Sequence, residues 1–282
     1  MNSLNEFYYF CKRKLKMKIP QLHSLKTIER KYNTGEEPVL VVCSDLNSYI
    51  CKYMRSSASS YKLASEFIGA QFARLWRFNS PEIAIVNIKP DHWNGLRSSH
   101  STTAPAFGSR KKTGIIDVTR SAVEEIEDTS LMFAQLVYIA LFDFWMANED
   151  RNANNSNLLY DIKQHLFIPI DYGCVFNTAT YDYPLSQLTT TDSILSSELF
   201  ERMIPKQKSS IISIIANLDR DYGINVGKCL ENVKSVIEQI PQEWNLPKDV
   251  VVNKVNQLFD YQWLEDVWNN FMECLNEKMT LW

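Results

Sequence analysis

Residues Leu141 to Val175 read LFDFWMANEDRNANNSNLLYDIKQHLFIPIDYGCV, and the folding of this stretch decides how the rest of the 282-residue chain is understood. It opens as an apolar helical run and passes into the polar cluster Asn148-Glu149-Asp150-Arg151. Asn155 and Asn157 follow. Two short apolar runs of strand length come next, Asn157-Leu158-Leu159-Tyr160 and Leu166-Phe167-Ile168-Pro169-Ile170. Asp171-Tyr172-Gly173 closes the segment. A short polar loop followed by a tight hairpin can bring Asp150, Asn155 and Asp171 to one place. Two carboxylates and an amide gathered there offer an acid–base group and oxygen ligands for a hard cation. Each element alone fits a solvated Asn-rich loop between a buried helix and a hairpin. Agreement of all three in order and spacing favours chemistry.

The spacing Asp-x-x-x-x-Asn, a hairpin, then Asp-aromatic-Gly resembles the catalytic arrangement of protein-kinase-like phosphotransferases. Asn148-Glu149-Asp150-Arg151, Asn155-Ser156-Asn157-Leu158-Leu159 and Pro169-Ile170-Asp171-Tyr172-Gly173 together resemble one branch, the HipA-like kinases. These are bacterial serine/threonine kinases that include the toxins of toxin–antitoxin pairs. The family carries Asn-x-Asp-Arg where eukaryotic kinases have His-Arg-Asp, and often Asp-His-Gly or Asp-Tyr-Gly for Asp-Phe-Gly. The resemblance implies ATP and Mg²⁺ as cofactors. It implies Asp150 as the catalytic residue that takes or orients the acceptor hydroxyl, with Asn155 and Asp171 holding Mg²⁺. A protein substrate with a Ser or Thr acceptor, and an antitoxin-type partner protein, are the partners it implies.

Upstream, Val39-Leu40-Val41-Val42-Cys43 reads as a buried strand that turns through Asp45-Leu46-Asn47-Ser48 into Tyr49-Ile50-Cys51-Lys52-Tyr53. Gln21 to Arg30 is expected to hold a short strand. Lys52 stands among apolar neighbours, and a lysine so placed calls for a partner or must snorkel to water. Fourteen residues on, Glu66 lies in a helical segment from Tyr61 to Trp76, with Leu63, Phe67, Ala70 and Leu75 on its apolar side. In kinases a strand lysine paired to a helix glutamate holds the α/β-phosphates, and Lys52 and Glu66 fall where the family has them. Glu82 to Ile88 reads as the strand that leads into the kinase hinge, which gives Val86, Asn87 and Ile88 the adenine edge. One departure is clear. Where kinases cover the phosphates with a glycine-rich loop, this chain has only Asn33-Thr34-Gly35-Glu36-Glu37-Pro38, whose two acids would repel a triphosphate unless they point away or face the metal.

Residues 95–114 read as a loop rich in hydroxyls and then in cations (Ser109, Arg110, Lys111, Lys112), and the Ser98–Thr113 stretch is the expected site of self-phosphorylation. Thr189-Thr190-Thr191 is the second candidate. Downstream, helices are expected near 192–203, 206–219, 225–240 and 248–279, separated by Pro205, Gly223 and Pro241, the last open to a break near Asp260. Trp244, Trp263, Trp268 and Phe271 read as core anchors.

The whole-chain figures fit an ordinary globular protein: 45% hydrophobic and 22% charged residues, with a net charge of −3. That balance argues against bulk nucleic-acid binding, with the basic run Lys12 to Lys18 as a local exception and most simply a solvated face. A short aromatic helix is expected over residues 1–18. Six scattered cysteines without Cys-x-x-Cys spacing suit a reducing compartment. No secretory signal is apparent, and Leu131 to Ala147 is too short and too polar for a membrane span, so a cytoplasmic protein without membrane contact is expected.

The fold expected is α+β and two-lobed, of protein-kinase-like type. Residues 1–88 form a lobe with a small antiparallel sheet and the Glu66 helix, and 89–282 a helical lobe with the catalytic loop and metal-binding hairpin. Three other functions use the same residues or the same pocket. A small-molecule phosphotransferase usually shows clustered acids in its helical tail, and none stand out here. A nucleotidyl-transferring pseudokinase would bind ATP reversed, and a non-catalytic nucleotide-binding module would not need the complete set of metal-chemistry residues.

Overall fold

The computed structural model describes residues 18–55, 57–93, 104–126 and 128–280. The helix expected over residues 1–18 and the Ser98–Thr103 part of the hydroxyl-rich loop lie outside the described residues.

Six strands form the first sheet: β1 (Gln21–His23), β2 (Arg30–Lys31), β3 (Val39–Val42), β4 (Ser48–Lys52), β5 (Ile83–Asn87) and β6 (Ala106–Arg110). Their spatial order is β1-β5-β6-β4-β3-β2. The β3–β4 hairpin pairs Val39 with Cys51 and Val42 with Ser48. Asp45 closes its turn by accepting from the Asn47 backbone N–H at 3.1 Å and the Tyr49 hydroxyl at 2.8 Å. All pairings are antiparallel except that of β1 with β5, so a parallel strand is added at one edge of an otherwise antiparallel sheet. Alternation along β4 sends Tyr49 and Cys51 to one face and Ile50 and Lys52 to the other. The first face is a small separate core with Val39, Val41, Ala84, Val86 and Trp93. The second joins the main core through Ile83, Ile85 and Phe107.

Residues 106–110 correct the expectation of a loop. β6 is a central strand, with β4 on one side and β5 on the other. Ala-Phe-Gly-Ser-Arg carries little strand signal of its own, and two flanking ladders hold it in place. Gly108 is required there because a Cβ would meet Val86 Cγ2 at 2.8 Å. Residues 106–110 therefore belong to the same sheet as Lys52. Residues 111–114 then cross to β7 (Ile115–Asp117), which pairs with β8 (Leu158–Asp161), and β8 pairs with β9 (Leu166–Pro169).

Helix α1 (Ser57–Leu75) packs on the inner face of the first sheet, and Arg77, at φ 65°, stops the chain behind it. Helix α2 (Ser130–Met146) starts with the Thr129 hydroxyl accepting from the Met132 N–H at 3.2 Å. Every residue of α2 from Met132 onward is buried except Tyr138, whose hydroxyl donates to Asp221 at 2.8 Å. Four longer helices follow among the described residues: α3 (Glu198–Gln207), α4 (Ile211–Ile237), α5 (Lys248–Gln257) and α6 (Tyr261–Thr280). Pro205 lies inside α3 and Gly223 inside α4, so neither separates helices as expected. A glycine in a helix costs only about 1 kcal/mol relative to alanine, and buried Leu218, Tyr222, Val226 and Cys229 hold α4 through it. The final helical stretch does divide at residues 258–260. The indoles seal the junction, Trp145 donating to the Leu258 carbonyl at 2.8 Å and Trp263 to the Trp145 carbonyl at 3.1 Å. Among the described residues, no helix is long and apolar enough to cross a membrane.

Candidate active site

The site is assembled where α2 ends. Ala147, at φ 49°, turns the chain out of the helix and the Asn148 N–H caps the Asp143 carbonyl at 2.9 Å. Asp143 itself is fully buried. Its carboxylate accepts from Asn148 Nδ2 at 2.7 Å and from Arg151 Nε at 2.8 Å, and Arg151 is as buried as Asp143. Burial pushes the Asp143 carboxyl up to about 6, against the pull of Arg151 and Asn148. The guanidinium also donates to the carbonyls of Asn157 and Ile170 and lies 5.3 Å from the centre of the Tyr172 ring. One cation thus binds the end of α2, the start of β8 and the end of β9.

That scaffold presents the three residues expected from the motif. The Asp150 carboxylate is half-buried and accepts from Asn155 Nδ2 at 3.0 Å and Asn157 Nδ2 at 2.9 Å. Asn155 is exposed. Asp171 follows the β8–β9 hairpin at φ 60°, a backbone region that a non-glycine residue enters only when its surroundings enforce it. Here the enforcement is visible. The Ile170 N–H donates to the Asn157 carbonyl at 3.0 Å, the Tyr172 N–H to Glu66 at 3.1 Å, and the Tyr172 hydroxyl to the Pro169 carbonyl at 3.2 Å.

Across the cleft, Lys52 Nζ donates to Glu66 Oε2 at 2.7 Å and to Asp171 Oδ1 at 2.6 Å. Burial opposes the ammonium charge, but the Glu66 and Asp171 carboxylates outweigh it and hold the lysine above its ordinary range. Burial, together with repulsion from Asp171, pushes Glu66 up to about 7 although Lys52 pulls it down. Asp171 is moved the other way, since the attraction of Lys52 overcomes its own burial. Strand, helix and hairpin therefore meet in one charged triad.

Val86, Asn87 and Ile88 are not brought to this triad. β6 stands between β5 and the Lys52 strand, Val86 faces the small outer core, and Asn87 is exposed beside β1. The chain leaving β6 is anchored where the Lys111 N–H donates to the Ser48 carbonyl at 2.8 Å. Asp143, Asn148 and Arg151 form a scaffold beneath the site that the motif spacing does not mark. A carboxylate inside an apolar helix was the available signal, because such a charge needs a partner.

A lysine-bearing sheet, a glutamate-bearing helix and a hairpin ending in Asp-Tyr-Gly meet here as they do in kinases, and the fold is kinase-like. A sequence model of the HipA-like kinases matches residues 25–273. The chain belongs to the HipA-like kinase family. Among solved structures it is similar to the crystal structure of the Golgi casein kinase, at 10% identity over 93% of this chain and 74% of that one, with a TM-score of 0.42. No curated protein matches the chain.

Proposed function

We propose that this HipA-like kinase transfers the γ-phosphate of ATP, with Mg²⁺, to a serine or threonine hydroxyl of a protein, itself included. The observation that carries this is the Lys52 ammonium held between Glu66 at 2.7 Å and Asp171 at 2.6 Å. A cation fixed by a buried carboxylate on one side and facing a metal-type carboxylate on the other is prepared to receive phosphate oxygens. Glu66 positions Lys52 and also fixes the Tyr172 N–H, so lysine and hairpin are set by a single carboxylate.

Asn155 and Asp171 supply oxygen ligands, which suits a hard cation, and these two residues would hold Mg²⁺. When bound, the ion would neutralise charge on the transferring phosphate. Asp150 accepts the proton of the acceptor hydroxyl or orients it. Its two amide donors, Asn155 and Asn157, keep the carboxylate aimed. The adenine edge falls to backbone groups of residues 109–114 rather than to Val86, Asn87 and Ile88.

Self-phosphorylation belongs to the same proposal. The Ser98–Thr113 stretch remains the favoured region, although Arg110, expected as a partner for the new phosphate, already pairs with Glu82 at 2.5 Å. Family membership supports an antitoxin-type partner and a cytoplasmic setting. The deciding experiment is incubation with γ-labelled and α-labelled ATP, with and without Mg²⁺. Mg²⁺-dependent incorporation of the γ label, lost in Asp171→Asn, is expected. Incorporation of the α label would show nucleotidyl transfer and overturn the assignment.

A further inference from the structure

Lys62 lies on α1 one turn before Glu66, so the two side chains leave the helix on the same side. Its ammonium meets Glu36 Oε1 at 2.8 Å. Glu36 belongs to the Asn33–Pro38 turn between β2 and β3, the part of the chain that stands where kinases cover their phosphates. The neighbouring acid is engaged in the same way, since Glu37 takes Lys31 at 2.9 Å and Arg55 at 2.8 Å. Arg55 also donates to the Gly35 carbonyl at 3.1 Å. The turn is thus tied to cations through both of its carboxylates.

Lys62 shares the side of α1 that carries Glu66, the residue that holds Lys52. The Cys174 thiol, next after Asp171-Tyr172-Gly173, lies in the field of Asp150, Asp171, Lys62 and Lys52 together. Lys62 feels Asp171 as well as Glu36. The helix face that holds Lys52 through Glu66 thus carries a second lysine, Lys62, without an assignment.

We propose that Lys62 is a second phosphate-binding lysine of the cleft, and that Glu36 occupies it until a nucleoside triphosphate arrives. The inference rests on the ATP reading above. Lys62 and Glu36 are 40% and 35% exposed, and a pair so open to water is weak enough for a polyanion to displace. A glycine-poor phosphate loop works here through a side-chain cation on the helix instead of a row of backbone N–H groups.

The test is calorimetric titration of full-length protein with Mg·ATP and with AMP, for the wild type, Glu36→Gln, Lys62→Met, Lys62→Arg and the Glu36→Gln/Lys62→Met double variant. Glu36→Gln is expected to tighten Mg·ATP binding by about two- to fivefold, the strength of an exposed ion pair. Lys62→Met is expected to weaken it by about tenfold or more, as loss of a charge-assisted contact does. Lys62→Arg should retain most of the affinity. In the Lys62→Met background, Glu36→Gln should change nothing, and AMP binding should be alike in all five proteins. If Lys62→Met fails to fold, the gain in Glu36→Gln still decides the matter. Unchanged or weaker Mg·ATP binding in Glu36→Gln overturns the proposal, as does an equal effect on AMP. A wild type that binds no Mg·ATP overturns the ATP reading too, whereas normal wild-type binding with silent variants overturns this inference alone.

Discussion

Gly69 of α1 lies against the ring-bearing residue of Asp171-Tyr172-Gly173 so closely that a Cβ on the glycine would fall 2.4 Å from Tyr172 Cβ. The contact sits one turn from Glu66, which also accepts from the Tyr172 N–H. Helix and hairpin are therefore in register through backbone proximity as well as charge. Gly69→Ala must push Tyr172 away, and overpacking of this kind costs about 1–3 kcal/mol. We expect a lowered melting temperature and a fall in kcat beyond what the stability loss explains, because Asp171 moves with Tyr172. A variant with wild-type melting and turnover would show that the helix and the motif are not tightly registered.

A second prediction concerns Arg151. Replacing it with methionine leaves the Asp143 carboxylate buried without its cation and leaves the Asn157 and Ile170 carbonyls without this donor. Breaking a buried pair from one side typically costs about 3–5 kcal/mol. Denaturant unfolding of Arg151→Met should show a loss of that size. The deficit should shrink at acid pH, where Asp143, already pushed up to about 6, carries no charge to strand. A loss below 1 kcal/mol would mark the pair as replaceable.

The parts of this architecture written in local pattern were legible in the sequence, and the parts set by distant packing were not. The β3–β4 hairpin alternates apolar residues around a polar turn, α1 repeats them at helical spacing, and the loop around Asp150 carries its own amides. β6 shows no such pattern, since Ala106–Arg110 is a strand because β4 and β5 flank it. The separation of β5 from the Lys52 strand by β6 has the same origin, because a strand's neighbours in space cannot be read from its own residues. Lys52 and Glu66 could be paired from sequence only because each is a charge in apolar surroundings. Asp143 and Arg151 meet the same criterion, and the pairing was open to the same reasoning. Gly69 could not be found this way, since a missing Cβ leaves no periodic mark.

Asp150 is predicted to serve chemistry without holding the nucleotide. Its carboxylate is engaged by Asn155 and Asn157, not by Lys52 or Glu66. Asp150→Ala should keep the affinity for Mg·ATP while losing about 10²–10⁴-fold in phosphorylation rate, the usual contribution of a positioned acid–base group. Nucleotide titration and single-turnover transfer measured on the same preparation check this. Loss of nucleotide binding together with loss of folded protein would make the residue structural.

The last prediction concerns pH. Burial holds Glu66 at about 7, well above the ordinary carboxylate range near 4.3. Between those values the folded protein keeps a proton that the unfolded chain releases, so this residue's contribution to stability falls as pH rises from about 4.3 to about 7 and is flat beyond. Glu66→Gln cannot titrate. Its stability relative to the wild type should therefore rise across that window and level off above it. The effect on nucleotide should follow the charge as well. Below pH 7 a protonated Glu66 holds Lys52 little better than glutamine does, and above it the carboxylate positions the ammonium fully. The rise in KM for ATP caused by Glu66→Gln should therefore be small at pH 6 and large at pH 8. A double-mutant cycle with Lys52→Met should show coupling of about 0.5–3 kcal/mol at pH 8 and markedly less at pH 6. Coupling of equal size at both pH values would mean that Glu66 is ionised throughout and that Lys52 outweighs the cost of burying it.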